Sequence, residues 1–163
     1  MTTALELPQG HLGLLDTEVA RRRLADGQVL RLAYVALDGT PRVLAVNFQW
    51  TGEEIVMGGF APSARGRALR ANPRVAITLD TDAAPPEMLQ IRGRAEVTEV
   101  HGIVPEYEQY MRHGMPAEVA DAYFAEILRR EVVMERIAVR PDWVGVVDFQ
   151  TRYPAAMPTW LRS

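Results

Sequence analysis

The run Met57-Gly58-Gly59-Phe60-Ala61-Pro62-Ser63-Ala64-Arg65-Gly66-Arg67-Ala68-Leu69-Arg70-Ala71-Asn72-Pro73 gathers the residues of this chain best suited to chemistry. It leaves an extended segment through two glycines, passes a proline, and enters an alanine-rich stretch at Ser63, a residue type that caps helices. A helix that starts there turns free backbone N–H groups and a hydroxyl outward, which is a geometry for accepting an anion. Arg65 and Arg67 fall in its first turns, where the helix field disfavours a cation unless a negative ligand or partner compensates it. The same residues also fit a solvated basic face with Ser63 as an ordinary N-cap, and spacing alone leaves both readings open.

A second basic set lies in Leu89-Gln90-Ile91-Arg92-Gly93-Arg94-Ala95-Glu96, where apolar and polar residues alternate as in a strand with one buried face. Arg92 and Arg94 either solvate an outer sheet face beside Glu96 or join Arg65 and Arg67 in one positive groove. Gly58, Gly59 and Gly93 mark turns or bulges, or places where a flat ring lies against the main chain. Other chemistry is poorly supplied. His11, His101 and His113 form no metal-binding pattern, and Asp80 with Asp82 offers too few oxygens for a cation. No nucleophile elbow, P-loop or dinucleotide fingerprint is present, and the absence of Cys excludes thiolate catalysis, disulfides and cysteine-ligated metals. The expectation is a protein with no catalytic side chain of its own and no metal.

The elements that would position these residues follow from periodicity. Residues 16–25 predict a short helix capped by Asp16 or Thr17 and stopped at Gly27. Residues 29–37 and 42–50 predict a hairpin around Asp38-Gly39, with a third strand at 55–59, close enough in sequence to favour a meander. A helix over 63–71 leads to a strand at 75–79 and then to the alternating strand at 89–97. Residues 107–112 and a segment opened by Pro116 predict two helices, the second with Val119, Tyr123 and Ile127 on one stripe beside Phe124 and Leu128. Strand character returns at 132–139 and 144–147, before a Pro-rich tail at 153–163. The fold class expected is mainly β with α: a six- or seven-stranded antiparallel split β-barrel with short flanking helices, since closure removes sheet edges.

With 163 residues, 48% of them apolar, the chain is expected to form a single domain, 1–163, with a core about 14–147. A net charge of -3 gives no general attraction to nucleic acid or to acidic membranes, and none is expected as a partner. Every basic residue other than His is Arg, a planar fork that grips phosphate or carboxylate bidentately, although biased genome composition explains that preference equally well. The amino terminus lacks the pattern of a secretory signal, and no apolar run reaches spanning length, so a cytoplasmic protein is the expectation.

Ser63-Ala64-Arg65-Gly66-Arg67-Ala68-Leu69-Arg70-Ala71-Asn72-Pro73, followed by the Gly93-Arg94-Ala95-Glu96 strand, resembles the pyridoxamine 5'-phosphate oxidase-like superfamily of FMN-binding split barrels, including its F420-dependent branch. The resemblance implies a flavin- or deazaflavin-dependent oxidoreductase that transfers a hydride to or from a small organic substrate. FMN is the first cofactor expected and F420 the alternative; a non-catalytic flavin, F420 or haem binding protein is the competing class. It further implies that Arg65 contacts the cofactor phosphate with help from Ser63, and that Arg67, Arg70 or Arg92 supports the anion. Met57, Gly58, Gly59 and Phe60 would run beside the ring. A homodimer with the pocket at its subunit interface is implied as well, with apolar residues on both faces of the strands at 30–37 and 43–46 as physical support. Departures near the start of the second strand, where true pyridoxamine phosphate oxidases carry Arg and Val43 stands closest with Arg42 one residue off, and at Glu87-Met88-Leu89 argue against vitamin B6 oxidation.

Overall fold

The computed structural model describes residues 6–25 and 29–162. The helix stop expected at Gly27 lies outside them. Thr17 caps the first helix, α1 (Glu18–Arg23), by accepting a hydrogen bond from the Ala20 N–H while donating its own proton to the Leu14 carbonyl. Seven strands and three further α-helices follow in the order β1 (Val29–Val35), β2 (Pro41–Asn47), β3 (Gln49–Trp50), β4 (Ile55–Phe60), α2 (Ala64–Ala71), β5 (Arg74–Asp80), β6 (Met88–His101), α3 (Pro105–His113), α4 (Ala117–Arg129) and β7 (Val133–Val147).

The strands form one antiparallel sheet in the order β2-β1-β5-β6-β7-β4-β3. This corrects the expected split β-barrel: the fold is a mixed α/β arrangement around an open sheet, and among the described residues no ladder joins its edge strands β2 and β3. The expected meander fails for the same reason. Hairpin β1–β2 forms as the Asp38-Gly39 turn requires, with Gly39 at φ 79°, but the chain then crosses to the opposite edge. There the two-residue β3 pairs with β4 through Gln49–Val56 and Trp50–Ile55.

Alternation in the strands sets the core. Leu30 and Leu32 of β1, Ile77 and Leu79 of β5, Leu89 and Ile91 of β6 and Val144 and Val146 of β7 pack with Ile55 and Met57 of β4 and with Leu69 of α2. Each such side chain removed from water contributes about 1.5–3 kcal/mol. A second, smaller cluster joins α3 and α4 to β7 through Tyr107, Tyr110, Ala120, Phe124, Ile127 and Met134. Val119 and Leu128, expected on the packed stripe of α4, are instead exposed, and Ala120, Phe124 and Ile127 carry the buried face. Gly93 sits at a register shift of β6, where a Cβ would have no room beside the Arg140 carbonyl, so it serves a bulge. The strands expected at 132–139 and 144–147 are one long strand, β7, which begins at Val133.

Candidate functional site

Helix α2 begins where the sequence places it. Ser63 is its N-cap in extended conformation, and its hydroxyl accepts the Gly66 N–H at 2.8 Å. Leu69 on its inner face is fully buried in the core, and Asn72 ends the helix ahead of Pro73, where the chain turns into β5. The helix is therefore fixed at both ends and along its apolar side.

An internal carboxylate stands at the start of this helix. Glu135 on β7 has no solvent exposure, accepts a hydrogen bond from the Ser63 hydroxyl, and accepts another from Arg70 Nη1 at 2.8 Å. Arg70 also lies 3.5 Å from Glu99, so one guanidinium serves two carboxylates. Burial alone would raise the Glu135 carboxyl, yet the hydrogen bonds from Ser63 and Arg70 outweigh it and hold the group below its ordinary range. Its carboxylate fills the space next to Gly66 in which a Cβ would have to sit. The Ser63 proton is thus committed within the protein.

Arg65 takes a different direction. Its guanidinium lies across β4, with Nη2 3.0 Å from the position a Cβ on Gly59 would occupy. The side chain is half-buried, its Nε is buried without a hydrogen-bond partner, and no carboxylate lies within ion-pair reach among the described residues. Gly59 pairs with Glu135 across the β4–β7 ladder, and the adjacent Gly58 N–H donates to the Tyr110 hydroxyl at 3.2 Å. Burial pushes the Tyr110 hydroxyl up to about 12, against the pull of that hydrogen bond and of the Arg65 charge. On the other side of the strand, a Cβ on Gly58 would lie within 3 Å of the Tyr107 ring, and Phe60 meets the same ring edge-on at 6.3 Å. Tyr107 Oη in turn shares a hydrogen bond of 2.6 Å with Tyr123.

The residues expected around the site are only partly brought together. Ser63, Arg65, Gly58, Gly59 and Phe60 share one neighbourhood, whereas Met57 is fully buried in the main core. Arg67 is exposed, and at about 100° per residue it projects some 200° around the helix from Arg65. Arg70 is held by Glu135 and Glu99. Arg92 lies over the Trp143 ring at 4.2 Å on the outer face of the sheet, where it lines a hollow of about 300 Å³ with Arg74, Arg94 and Asp142. The basic set of β6 and the arginines of α2 therefore do not form one groove.

Sequence reading missed Glu135 and Tyr110. Glu135-Arg136 interrupts the apolar run 132–139 at the start of β7, and that interruption was the available signal for a buried ionic contact. Tyr110 offered none, because an aromatic on a helix reads as ordinary packing.

The arrangement on this α/β scaffold is a half-buried cation, Arg65, beside a glycine of β4, with the Ser63 hydroxyl engaged by Glu135 and the Gly66 N–H. The sequence profile of pyridoxamine 5'-phosphate oxidase matches residues 16–139, and the chain belongs to that family. No curated protein matches it at the level of sequence. Among solved structures it is similar to an F420 reductase, with 25% identity, a TM-score of 0.52 and coverage of 85% of this chain and 98% of the other. A conserved hypothetical protein from Mycobacterium tuberculosis aligns at 16% identity and a TM-score of 0.61, over 88% of this chain and 94% of the other. The haem storage protein HutZ from Vibrio cholerae aligns at 19% identity and a TM-score of 0.52, over 82% and 94% of the two chains. The last two show a common fold only.

Proposed function

We propose that this chain binds a phosphate-bearing isoalloxazine-type cofactor, FMN or the deazaflavin F420, and supports hydride transfer between it and a small organic substrate. The observation that carries the reading is Arg65: a half-buried guanidinium with a buried orphan Nε and no acidic partner among the described residues, lying over β4 where Gly59 carries no side chain. A guanidinium left in this state gains charge-assisted hydrogen bonds when a phosphate arrives. Gly59 lets a flat ring approach the backbone closely on the Arg65 side, while Gly58 makes room for the Tyr107 ring behind it. The cofactor supplies the hydride chemistry, and the protein supplies binding, orientation and exclusion of water. Family membership and the likeness to an F420 reductase support the same class of ligand. The resemblance puts Val43 closest to an Arg of the B6 oxidases, with Arg42 one residue off, and this departure argues for a different substrate from theirs.

The proposed assembly is a homodimer. Val29, Val35 and Val43 are exposed on the outer face of β1 and β2, beside a hollow of about 320 Å³ lined by Ala33, Ala76, Arg92 and Trp143. A second copy covering this face would bury it.

Titration of the purified protein with FMN and with F420, followed by absorbance and fluorescence, tests the reading. Saturable submicromolar binding of either supports it; the absence of binding by both overturns it. A second reading, binding without turnover, draws on one observation: the ionisable groups around Arg65 are removed from the neutral range, with Tyr110 pushed up to about 12 and Glu135 held low. A bound cofactor that passes no hydride to quinones, nitro compounds or unsaturated ketones would favour it.

A further inference from the structure

The start of α2 carries its own anion, and this bears on which phosphate the site takes. Glu135 uses the Ser63 proton and Arg70, Arg70 is shared with Glu99, and Arg67 projects away. Counting formal charges, Arg70 against Glu135 and Glu99 leaves one negative charge, and Arg65 supplies one positive charge at the open side. A ligand with a single negative charge meets Arg65. A second negative charge on the same phosphate finds no Ser63 donor and no further cation free of a carboxylate on α2 apart from the outward-projecting Arg67, and it adds to the charge of buried Glu135, the ladder partner of Gly59.

We infer that Glu135 is a specificity-determining residue that selects a phosphodiester monoanion over a phosphomonoester dianion at the Arg65 site. This inference rests on the cofactor reading above and deepens it, because F420 carries its phosphate as a diester and FMN as a monoester. Between pH 7 and 8 the monoester bears nearly two charges, its second ionisation lying at about pH 6. Repulsion between like charges across a partly buried site is screened far less than in bulk water.

The test holds the ring constant. FMN, its phosphate monomethyl ester and riboflavin are titrated at pH 8 into wild type and into Glu135→Gln, with thermal melting as the check of folding. Wild type is expected to bind the methyl ester about tenfold more tightly than FMN, and riboflavin least. In Glu135→Gln, FMN affinity should rise about tenfold while the methyl ester changes little. Equal or tighter binding of FMN by wild type, or an unchanged ratio in folded Glu135→Gln, overturns the inference and leaves the cofactor reading standing. F420 is titrated alongside: riboflavin binding as tightly as both esters, or no binding by the three flavins and none by F420, defeats the cofactor reading itself. F420 binding without any flavin binding leaves that reading standing, and it overturns the inference if F420 affinity is unchanged in folded Glu135→Gln and FMN binding does not appear there. Should Glu135→Gln not fold, the wild-type ratio of methyl ester to FMN decides alone.

Discussion

Gly66 and Glu135 occupy one space: the buried carboxylate of β7 lies where a side chain at the third residue of α2 would begin. The contact ties the helix to the strand through the smallest possible residue, and it sets how far Arg65, one position earlier, projects over Gly59. Gly66→Ala is therefore expected to destabilise the protein by about 1–3 kcal/mol, because the added methyl must displace a carboxylate held by two partners. Gly114→Ala, where the nearest atom to a new Cβ is 3.9 Å away, should change stability by no more than about 0.5 kcal/mol. Denaturant unfolding of both variants measures the difference.

Acid should weaken the fold through the same carboxylate. Glu135 is held below its ordinary value of 4.5, so its contribution is present in full above that value and is lost as pH falls through the lower native one. Wild type should lose stability below about pH 4.5 more steeply than Glu135→Gln, which has no proton to take up there. Melting temperatures from pH 7 down to pH 3 test this; parallel curves would contradict it.

The outer face of β1 and β2 makes a separate prediction. Val43 is 69% exposed on the edge strand, and Val43→Glu should weaken self-association at least tenfold, since burying an unpaired carboxylate at an interface opposes it. Removing so little buried area should leave monomer stability within about 0.5 kcal/mol. Sedimentation equilibrium reads the first effect and denaturant unfolding the second. A chain that is monomeric at tens of micromolar before substitution would contradict the dimer.

Much of this architecture was legible from local pattern. The alternation from Leu89 to Val97 and the Asp38-Gly39 turn correspond to β6 and the β1–β2 hairpin, and Ser63 caps α2 as its type and position imply. Strand order was not legible, because the choice between a meander and a crossover depends on what β2 and β4 find to pair with, not on their spacing. Within the site, the arginines of α2 could be read but not their partners. Arg65 and Arg70 are five residues apart on one helix and look alike in sequence, yet Glu135, distant along the chain, binds one and leaves the other open.

That open guanidinium carries the account. The most direct measurement is the affinity of wild type and Arg65→Ala for FMN and F420, alongside the melting of both proteins without ligand. Losing the charge-assisted hydrogen bonds of Arg65 should cost about 1.5–3 kcal/mol of binding, a weakening of roughly ten- to more than a hundredfold. Removal of a half-buried side chain without a carboxylate partner should leave the ligand-free melting curve nearly unchanged. Unaltered affinity for the cofactor that wild type binds would contradict the phosphate role assigned to Arg65.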